Sequence, residues 1–497
     1  MKMALNYETK LFINNEFVAG TAGRQFPVYN PANDETVCNV HEALEEDVDR
    51  AVDAAHGAFS SWSSLSANER AGYLTRLAQL ISRDAQELAE LEAQTMGKPV
   101  ELLKKMDIPA AIGVFNYYAG CAYHVLGESS LNSANFLNIS VRQPYGVVGL
   151  IIPWNASMIM FAFKVAPALV CGNTVVLKPS EKAPLSSLKL AALVKEAGFP
   201  PGVFNVVNGF GTPTGSAMAL HPKIRKISFT GSVATGKAIS KMAADSNLKN
   251  VSLELGGKSP AIIFPDADIA AAARFTHYSI NHNSGQHCQA NSRVLVHESV
   301  ASQFLQELKA LMSQVRLGGP SDPRTFQGPQ SDRKQMDHIL RLIDVGKRDG
   351  TLVHGGKRYG EKGNYVEPTI LANVPQTSEA YKEEIFGPVV IVNTFKDENE
   401  ALTEANGTEF GLFSSVYTND FERAVRFAKR LESGAVGINC SVPVRAIDMP
   451  LGGWKQSGTG RELALHGLNL YTELKTIFLK YGQDNNSLAL HWHCREA

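Results

Sequence analysis

The chain has 497 residues, of which 44% are hydrophobic and 20% charged, and its formal net charge is -1. This length exceeds the size at which a single core stops growing, so we expect two or three globular domains. The balanced charge gives no field that would attract nucleic acid or an anionic membrane. No apolar run reaches the ~20 residues of a membrane span, and residues 1–6 lack a signal-peptide core. We therefore expect a cytoplasmic protein that binds neither nucleic acid nor membrane.

The first third of the sequence has the spacing of amphipathic helices. Apolar residues recur at helical intervals over residues 48–62, behind the acidic start at 45–47 that suits a helix N-terminus. A leucine-rich stripe over residues 74–91 continues the helical pattern, and Gly97 and Pro99 are predicted to stop it. We interpret both stripes as core packing.

From Tyr145 onwards, short β-branched runs alternate with helical stretches. The predicted strands are residues 146–152, 174–177, 203–207 and 224–229, and the predicted helices between them are 159–170, 185–197 and 214–221. Such alternation is typical of a doubly wound parallel sheet. Nucleotides bind such sheets beyond the C-terminal ends of the strands.

Polar side chains follow three of these predicted strands. Pro153-Trp154-Asn155 follows the first, Lys178-Pro179-Ser180-Glu181 the second and Thr230-Gly231-Ser232 the last. Lys178 is placed for a phosphate or a ribose hydroxyl, and Glu181 could accept hydrogen bonds from both hydroxyls of an adenosine ribose. Ser232 opens a helix and suits a pyrophosphate. For any one of these residues, an ordinary strand-to-helix cap is the alternative interpretation.

A glycine-rich run over residues 209–215 resembles a dinucleotide loop only superficially. Its spacing is GxGxxxG with a proline inside, and the glycine signal alone is weak. We interpret the run as a turn into the next helix, and Gly211 is kept among the candidate cofactor contacts.

A thiol and a carboxylate stand in two glycine-marked segments. Cys288 lies in the sequence SGQHCQA, and Glu254 lies in LELGGK. A thiolate can attack a carbonyl, and a carboxylate can activate the water that later releases the acyl group. If the chain is extended here, His287 points away from the Cys288 sulfur, so we expect a pocket-lining histidine and no Cys–His dyad.

The other cysteines and histidines give no metal motif. The six cysteines are Cys38, Cys121, Cys171, Cys288, Cys440 and Cys494. None forms a CxxC pair, which favours a reducing compartment. His277 and His282 are interpreted as surface or packing residues, so no metal site is expected.

Seven sequence blocks together resemble the aldehyde dehydrogenase superfamily, from about Leu11 to about Lys480. The blocks are residues 153–155, 178–181, 229–232, 253–258, 285–288, 384–388 and 451–462. The resemblance implies NAD(P)-dependent oxidation of an aldehyde to a carboxylic acid. The reaction would pass through a thiohemiacetal and a thioester on the cysteine, and water would hydrolyse the thioester.

The resemblance also implies a role for individual residues. Cys288 matches the nucleophile, Glu254 the general base, Asn155 the oxyanion donor, and Lys164 a lysine that supports the site or its proton path. The candidate cofactor contacts are Ile151, Pro153, Trp154, Lys178, Ser180, Glu181, Gly211, Phe229, Thr230, Gly231, Ser232, Leu255, Gly256, Glu384 and Phe386. NAD is the expected cofactor, because the charge of Glu181 would repel a 2′-phosphate, and NADP stays possible.

The fold that the resemblance implies is α/β, with a Rossmann-like parallel-sheet cofactor domain, a second α/β catalytic domain and a small β oligomerisation arm. The predicted boundaries are 1–124 with 145–256 for the NAD-binding domain, 257–457 for the catalytic domain that carries Cys288, 125–144 with 458–482 for the arm, and 483–497 for a tail. The β-like run 471–479 belongs to the arm, which predicts a homodimer or homotetramer.

Departures from the family pattern bear on the substrate. Ala156 stands where many relatives carry an aromatic residue, and Leu451 stands where Phe is common. The helix after Asn155 offers a soft apolar lining of Met158, Met160, Phe161 and Phe163. The candidate pocket residues are Ala156, Met160, Phe163, His287 and Gln289. They predict a medium or bulky apolar aldehyde, while Arg445 and Asp448 near the entrance could favour a polar tail.

Two other functions stay open at this point. One is an aldehyde dehydrogenase in which coenzyme A, not water, accepts the acyl group, although retention of Glu254 argues for hydrolysis. The other is a catalytically silent structural protein with the same fold. The presence of Cys288, Glu254, Asn155 and Glu384 together argues against it.

Overall fold

The computed structural model describes residues 7–442 and 446–481. The predicted tail 483–497 and the entrance residue Arg445 lie outside the described residues.

An eight-stranded sheet contains all four predicted strands. In spatial order its strands are Glu16–Val18, Leu11–Ile13, Phe204–Val206, Thr174–Lys178, Val147–Ile151, Ile224–Thr230, Asn250–Glu254 and Gly458–Thr459. The pairings from Phe204–Val206 to Asn250–Glu254 are parallel, and the edge strands are antiparallel. Every residue of Val147–Ile151 is buried, as expected for a parallel sheet covered on both faces. The predicted parallel sheet is therefore confirmed.

A seven-stranded sheet forms a second α/β layer. Its strands, in spatial order, are Thr351–His354, Thr369–Ala372, Val389–Phe395, Arg293–His297, Pro260–Ile263, Phe413–Tyr417 and Ala435–Ile438. Its neighbours pair in parallel except at the edge strand Thr351–His354. The loop that carries Cys288 joins the helix Ile269–Asn281 to the strand Arg293–His297.

A three-stranded sheet brings together the two segments predicted for the arm. The strand Thr472–Lys480 pairs along its whole length with Phe136–Pro144, which also pairs with Ser129–Ser130. Leu474 and Phe478 are exposed on it. Two further two-stranded antiparallel sheets pair Gln25–Asn30 with Glu35–His41 and Phe410–Gly411 with Trp454–Lys455.

Helices cover the sheets. The α-helices are Glu45–Ser63, Ala67–Arg83, Ala85–Met96, Val100–Leu102, Ile108–Gly120, Ser157–Val170, Leu185–Glu196, Ser216–Leu220, Val233–Ser246, Ile269–Asn281, Ala301–Met312, Arg333–Asp349, Glu379–Lys382, Glu398–Asn406, Phe421–Arg430 and Ala464–Asn469. Short 3₁₀ or π turns cover Leu103–Asp107, Ala122–His124, Gly211–Gly215, His282–Gly285 and Glu298–Val300. In the described ranges, none of the helices combines the length and the apolar character of a membrane span.

The leucine-rich stripe is two helices and not one. The first helix ends at Arg83 and the second begins at Ala85, because Asp84 leaves helical geometry with φ -95° and ψ 18°. The Asp84 carboxylate pairs there with Arg83 and Lys189. Helices often end at a residue whose short polar side chain bonds to groups outside the helix.

Candidate active site

Strand ends of the eight-stranded sheet converge on Cys288. Asn155 follows the strand Val147–Ile151, while Thr230 and Glu254 are the last residues of their strands. Parallel strands bring their C-terminal ends to one edge of the sheet. At this edge, Asn155, Thr230 and Glu254 line cavities together with Cys288.

The loop before Cys288 has an unusual backbone. Asn283, Ser284 and Gly285 have φ values of 50°, 58° and 73°. A Cβ on Gly285 would lie 2.0 Å from the carbonyl oxygen of Gly387, so only glycine fits. After this run, Ala290 N–H donates to the His287 carbonyl oxygen at 3.0 Å and closes a turn.

This turn corrects the expectation of an extended chain at His287. The backbone hydrogen bond from Ala290 bends residues 287–290, so alternation along a strand does not set the direction of the His287 side chain. Within the described ranges, no hydrogen bond joins the imidazole to the Cys288 sulfur.

The Cys288 thiol is partly accessible because it borders the cavities. Burial among protein groups raises the pKa of Cys288, and the nearby Glu384 and Glu254 carboxylates raise it further. The backbone N–H groups of Cys288 and Gln289 oppose this rise in pKa. The resting sulfur is therefore a thiol, and its attack requires a proton acceptor.

The Asn155 amide is fixed beside the cysteine loop. Its Nδ2 donates to the Gln286 carbonyl oxygen at 3.0 Å. The Nδ2 of Asn283 donates to the carbonyl oxygens of Asn155 at 2.9 Å and of Gln286 at 3.1 Å. Asn283 thus ties the loop to the strand end. It was not predicted from sequence, and its left-handed conformation is visible only in the fold.

Glu254 belongs to a buried cluster of charges. Burial raises the pKa of Glu254 well above its ordinary value, the Glu462 carboxylate raises it further, and Lys164 and Arg461 oppose these effects. Lys164 Nζ forms an ion pair with Glu462 and donates to Ser228 Oγ at 2.9 Å. Glu462 was given no role from sequence, and its position at the end of the block 451–462 was the only signal for it.

The two glycines after Glu254 allow close approach. A Cβ on Gly256 would lie 2.2 Å from Glu384 Oε2, and one on Gly257 would lie 2.3 Å from the Cys288 carbonyl oxygen. Any larger residue would push Glu384 or the cysteine loop away.

A cavity of about 240 Å³ borders Cys288, and we call it the polar cavity because polar side chains form a larger part of its lining than of the other cavity's. It is lined by Pro153, Trp154, Asn155, Thr230, Gly231, Ser232, Glu254, Leu255, Gly256, Cys288, Gln335, His338, Glu384 and Phe386. Glu384 Oε1 accepts from Gly257 N–H at 2.9 Å, and burial raises the pKa of Glu384 to about 7. The Trp154 ring packs edge-on against Phe386, with centroids 5.5 Å apart.

The remaining candidate cofactor residues do not line this cavity. Ile151 and Phe229 are buried in the sheet, and Ser180, Glu181 and Gly211 lie elsewhere along its edge. Lys178 pairs with Ile151 across neighbouring strands, and its Nζ donates to the Pro179 carbonyl oxygen at 3.0 Å. Burial lowers the pKa of Lys178 to about 8, and Glu181 opposes this effect.

The residues present fit a nicotinamide dinucleotide. Ser232 caps the helix Val233–Ser246 by accepting from Thr235 N–H, so the positive end of that helix opens beside the polar cavity. Thr230 Oγ1 is buried without a hydrogen-bond partner in the described part of the chain. Glu384 brings a carboxylate that can bind ribose hydroxyls.

An apolar cavity of about 320 Å³ also borders Cys288. All five candidate pocket residues, Ala156, Met160, Phe163, His287 and Gln289, line it. Further apolar lining comes from Met106, Ala110, Val114, Ile159, Val442, Met449, Leu451 and Leu463.

The expected apolar lining was wrong at two positions. Met158 and Phe161 are fully buried in the core, because helical periodicity turns them away from the face that carries Met160 and Phe163. His282 is a buried packing residue that also lines the cavity. Asp448 is exposed next to the lining residues Ile447 and Met449.

Three of the four charged groups in the apolar cavity wall, Lys98, Asp107 and Glu462, form ion pairs, and Glu254 has no ion pair among the described residues. Lys98 forms a buried ion pair with Asp107. Among the described residues, no group of three or more His, Cys, Asp or Glu side chains could hold a metal ion.

Comparisons with known proteins agree with this geometry. The profile of the aldehyde dehydrogenase family matches residues 17–477. Retinal dehydrogenase 2 from Homo sapiens is 46% identical over 482 residues, which cover 96% of this chain and 93% of that protein. The NAD⁺ complex of an aldehyde dehydrogenase from Bacillus cereus has a TM-score of 0.94 at 42% identity, covering 95% of this chain and 97% of that chain. A mutant of P. syringae indole-3-acetaldehyde dehydrogenase in complex with NAD⁺ and IAA has a TM-score of 0.94 at 39% identity, covering 96% and 97%.

Proposed function

The chain belongs to the aldehyde dehydrogenase family and oxidises aldehydes to carboxylic acids with a nicotinamide cofactor, and we propose that Cys288 is its nucleophile and a medium or bulky apolar aldehyde its substrate. One observation carries the proposal. Cys288 lies where an apolar cavity and a polar cavity meet, and both cavities are also lined by Asn155 and Glu254.

The first step is attack of Cys288 on the aldehyde carbon. The thiol gives its proton to solvent, since Cys288 borders the cavities, and the thiolate attacks. The negative charge that develops on the aldehyde oxygen is stabilised by the Asn155 amide and the Cys288 N–H. Such a donor typically contributes ~3 kcal/mol.

The later steps, hydride transfer and hydrolysis of the thioester, return Cys288 to its free form. A nicotinamide cofactor held by Ser232, Glu384 and the other residues of the polar cavity would accept the hydride, which would leave a thioester on Cys288. Glu254 then takes a proton from water, and the water attacks the thioester and releases the acid. The adjoining Lys164–Glu462 pair offers a route for the proton away from Glu254.

The apolar aldehyde is supported by the lining of the cavity. Ala156 and Leu451 leave room beside Cys288, and Met160 and Phe163 supply apolar contact area. The name of the human relative states a bulky apolar aldehyde, retinal, as that protein's substrate. For this chain we propose a substrate of the same size class, and not retinal itself.

The remaining proposals concern cofactor preference, assembly and compartment. NAD is preferred over NADP because Glu181 would repel a 2′-phosphate. The exposed Leu474 and Phe478 on the arm strand favour a homodimer or homotetramer, since an uncovered apolar strand invites pairing. The described cysteines are all free thiols, which fits the cytoplasm.

Formation of NADH from a panel of aldehydes, with and without coenzyme A, tests the function. We expect NADH without coenzyme A and a free carboxylic acid as the product. An acyl-coenzyme A product, with NADH formed only when coenzyme A is added, would support the acylating alternative. No NADH with any aldehyde would support the structural one.

A further inference from the structure

We propose that His287 donates a hydrogen bond from Nε2 to the substrate, so that the enzyme prefers apolar aldehydes that carry one neutral acceptor oxygen, such as an ether, hydroxyl or carbonyl oxygen. This inference rests on the proposed function, because it assigns specificity to the same apolar cavity.

The hydrogen bonds of His287 fix its tautomer. Its Nδ1 accepts from the backbone N–H of Gln289 at 3.3 Å. A neutral imidazole has one N–H, and the nitrogen that accepts cannot carry it. The proton of a neutral His287 therefore resides on Nε2, which becomes a donor.

The surroundings of His287 keep the ring neutral. Burial lowers the pKa of His287 to about 4, and the positive charge of Lys98 lowers it further. The ring is thus uncharged at neutral pH, and it presents a single directed N–H group.

His287 lines the apolar cavity beside Cys288, and its Nε2 makes no hydrogen bond within the described ranges. The nearby Lys98 and Asp107 are already ion-paired with each other. A donor that has no partner in the protein is available to an oxygen of the substrate, which would satisfy it.

The chemistry of the wall selects the kind of acceptor. A neutral N–H group gives no full charge with which to hold a carboxylate, and the ammonium of Lys98 is already ion-paired with Asp107. The apolar remainder of the lining favours a hydrocarbon skeleton. The matching ligand is therefore a mainly apolar aldehyde with one uncharged oxygen within reach of His287.

An oxygen scan tests this inference. Hexanal is compared with its analogues in which an ether oxygen replaces one methylene at successive positions, for the wild type and for His287→Leu. We expect one analogue to exceed hexanal in kcat/KM in the wild type, mainly through KM. In His287→Leu, the ratio of kcat/KM for that analogue to kcat/KM for hexanal should fall by about three- to tenfold, as expected for one lost hydrogen bond. Comparing variants cancels the intrinsic reactivity of each aldehyde.

Matched variants separate the donor from the shape of the side chain. His287→Gln keeps an N–H donor and should restore part of the ratio. His277→Leu removes a histidine that stacks on Phe326 and is not part of the cavity lining, and it should keep the wild-type ratio. If His287→Leu fails to fold, His287→Phe, which also lacks the donor, replaces it.

The outcomes are distinguishable. If the wild type forms NADH but the ratio is unchanged in the variants that lack the donor, the inference is wrong and the proposed function stands. If the wild type forms no NADH with any aldehyde, the proposed function fails and this inference fails with it.

Discussion

The two cavities that meet at Cys288 are built by different parts of the sequence. The polar cavity is made of strand ends and the turns that follow them, such as Thr230 to Ser232 and Leu255 to Gly256. The apolar cavity is made of helix faces, loops and strand residues such as Phe413 and Val436, which lie far apart in the chain, from Lys98 to Leu463. They share Pro153, Asn155, Thr230, Glu254 and Cys288. In the proposed mechanism, the shared wall carries the reaction, and the unshared walls select the cofactor and the aldehyde.

A change to the shared wall at its nucleophile should have the largest effect. Cys288→Ala removes the atom that forms the covalent intermediate, so kcat should fall by at least about a thousandfold. The polar cavity is otherwise intact, so NAD affinity should stay nearly unchanged. NADH absorbance measures the first effect, and quenching of tryptophan fluorescence by NAD measures the second. Retained turnover would place the nucleophile at another residue.

A change to the base on the same wall should separate the two chemical steps. Glu254→Gln removes the group that activates water, so steady-state turnover should fall by ~10²–10⁴-fold. Hydride transfer should still occur once per site, which rapid mixing would record as a burst of NADH. Loss of the burst together with the steady state would mean that Glu254 acts earlier, in removing the proton from Cys288.

A change confined to the apolar cavity should alter selectivity and spare the chemistry. Ala156→Phe fills the space beside Asn155, so kcat/KM for bulky aldehydes should fall by roughly 10–100-fold, while a small aldehyde such as acetaldehyde is little affected. Met158→Leu, on the helix that begins directly after Ala156 but buried in the core, serves as the matched control. An equal loss for small and large aldehydes would show that Ala156 does not limit the size of the substrate.

A change on the cofactor side should alter the choice of dinucleotide. Glu181 follows the strand next to the one that leads to Asn155, beyond the lining of the polar cavity. Glu181→Ser removes the charge that would repel a 2′-phosphate, so the NADP to NAD ratio of kcat/KM should rise by about tenfold. The aldehyde preference should not change. An unchanged cofactor ratio would remove Glu181 from the cofactor site.

The same contrast explains what could be predicted from sequence. Strand ends of a parallel sheet meet at one edge, so Asn155 and Thr230 could be placed together without coordinates. The strand Asn250–Glu254 was not predicted, and only the resemblance assigned Glu254 to the same site. The apolar cavity depends on how helices turn. Met160 and Phe163 face the cavity while Met158 and Phe161, on the same helix, face the core. Composition alone does not separate these two faces.

Contacts between residues far apart in the chain could not be predicted from the sequence either. Lys164 and Glu462 form a hydrogen bond although they are 298 positions apart in the chain. Lys98 comes from a segment whose sequence is typical of an ordinary helix end. No local pattern signals either contact, because each depends on the packing of complete sheets and helices. The roles of Glu462 and Asn283 therefore become visible only in the folded chain.

The smallest effect should come from Glu462, which acts on Glu254 in the shared wall through its charge. Glu462 raises the pKa of Glu254, and Lys164 lowers it. Glu462→Gln removes the negative charge and leaves the charge of Lys164 uncompensated, so both changes lower the pKa of Glu254. A general base works only when it is deprotonated, so the acidic limb of the kcat–pH profile should move to lower pH.

The weaker base should also lower the plateau of that profile by less than ~tenfold. Glu404→Gln is the matched control, since Glu404 is a buried glutamate that binds Tyr381 and is not part of either cavity lining. This control should leave the acidic limb in place. A shift of the limb to higher pH in Glu462→Gln would mean that the Lys164–Glu462 pair supports Glu254 by packing and not by charge, because loss of packing does not favour the carboxylate form.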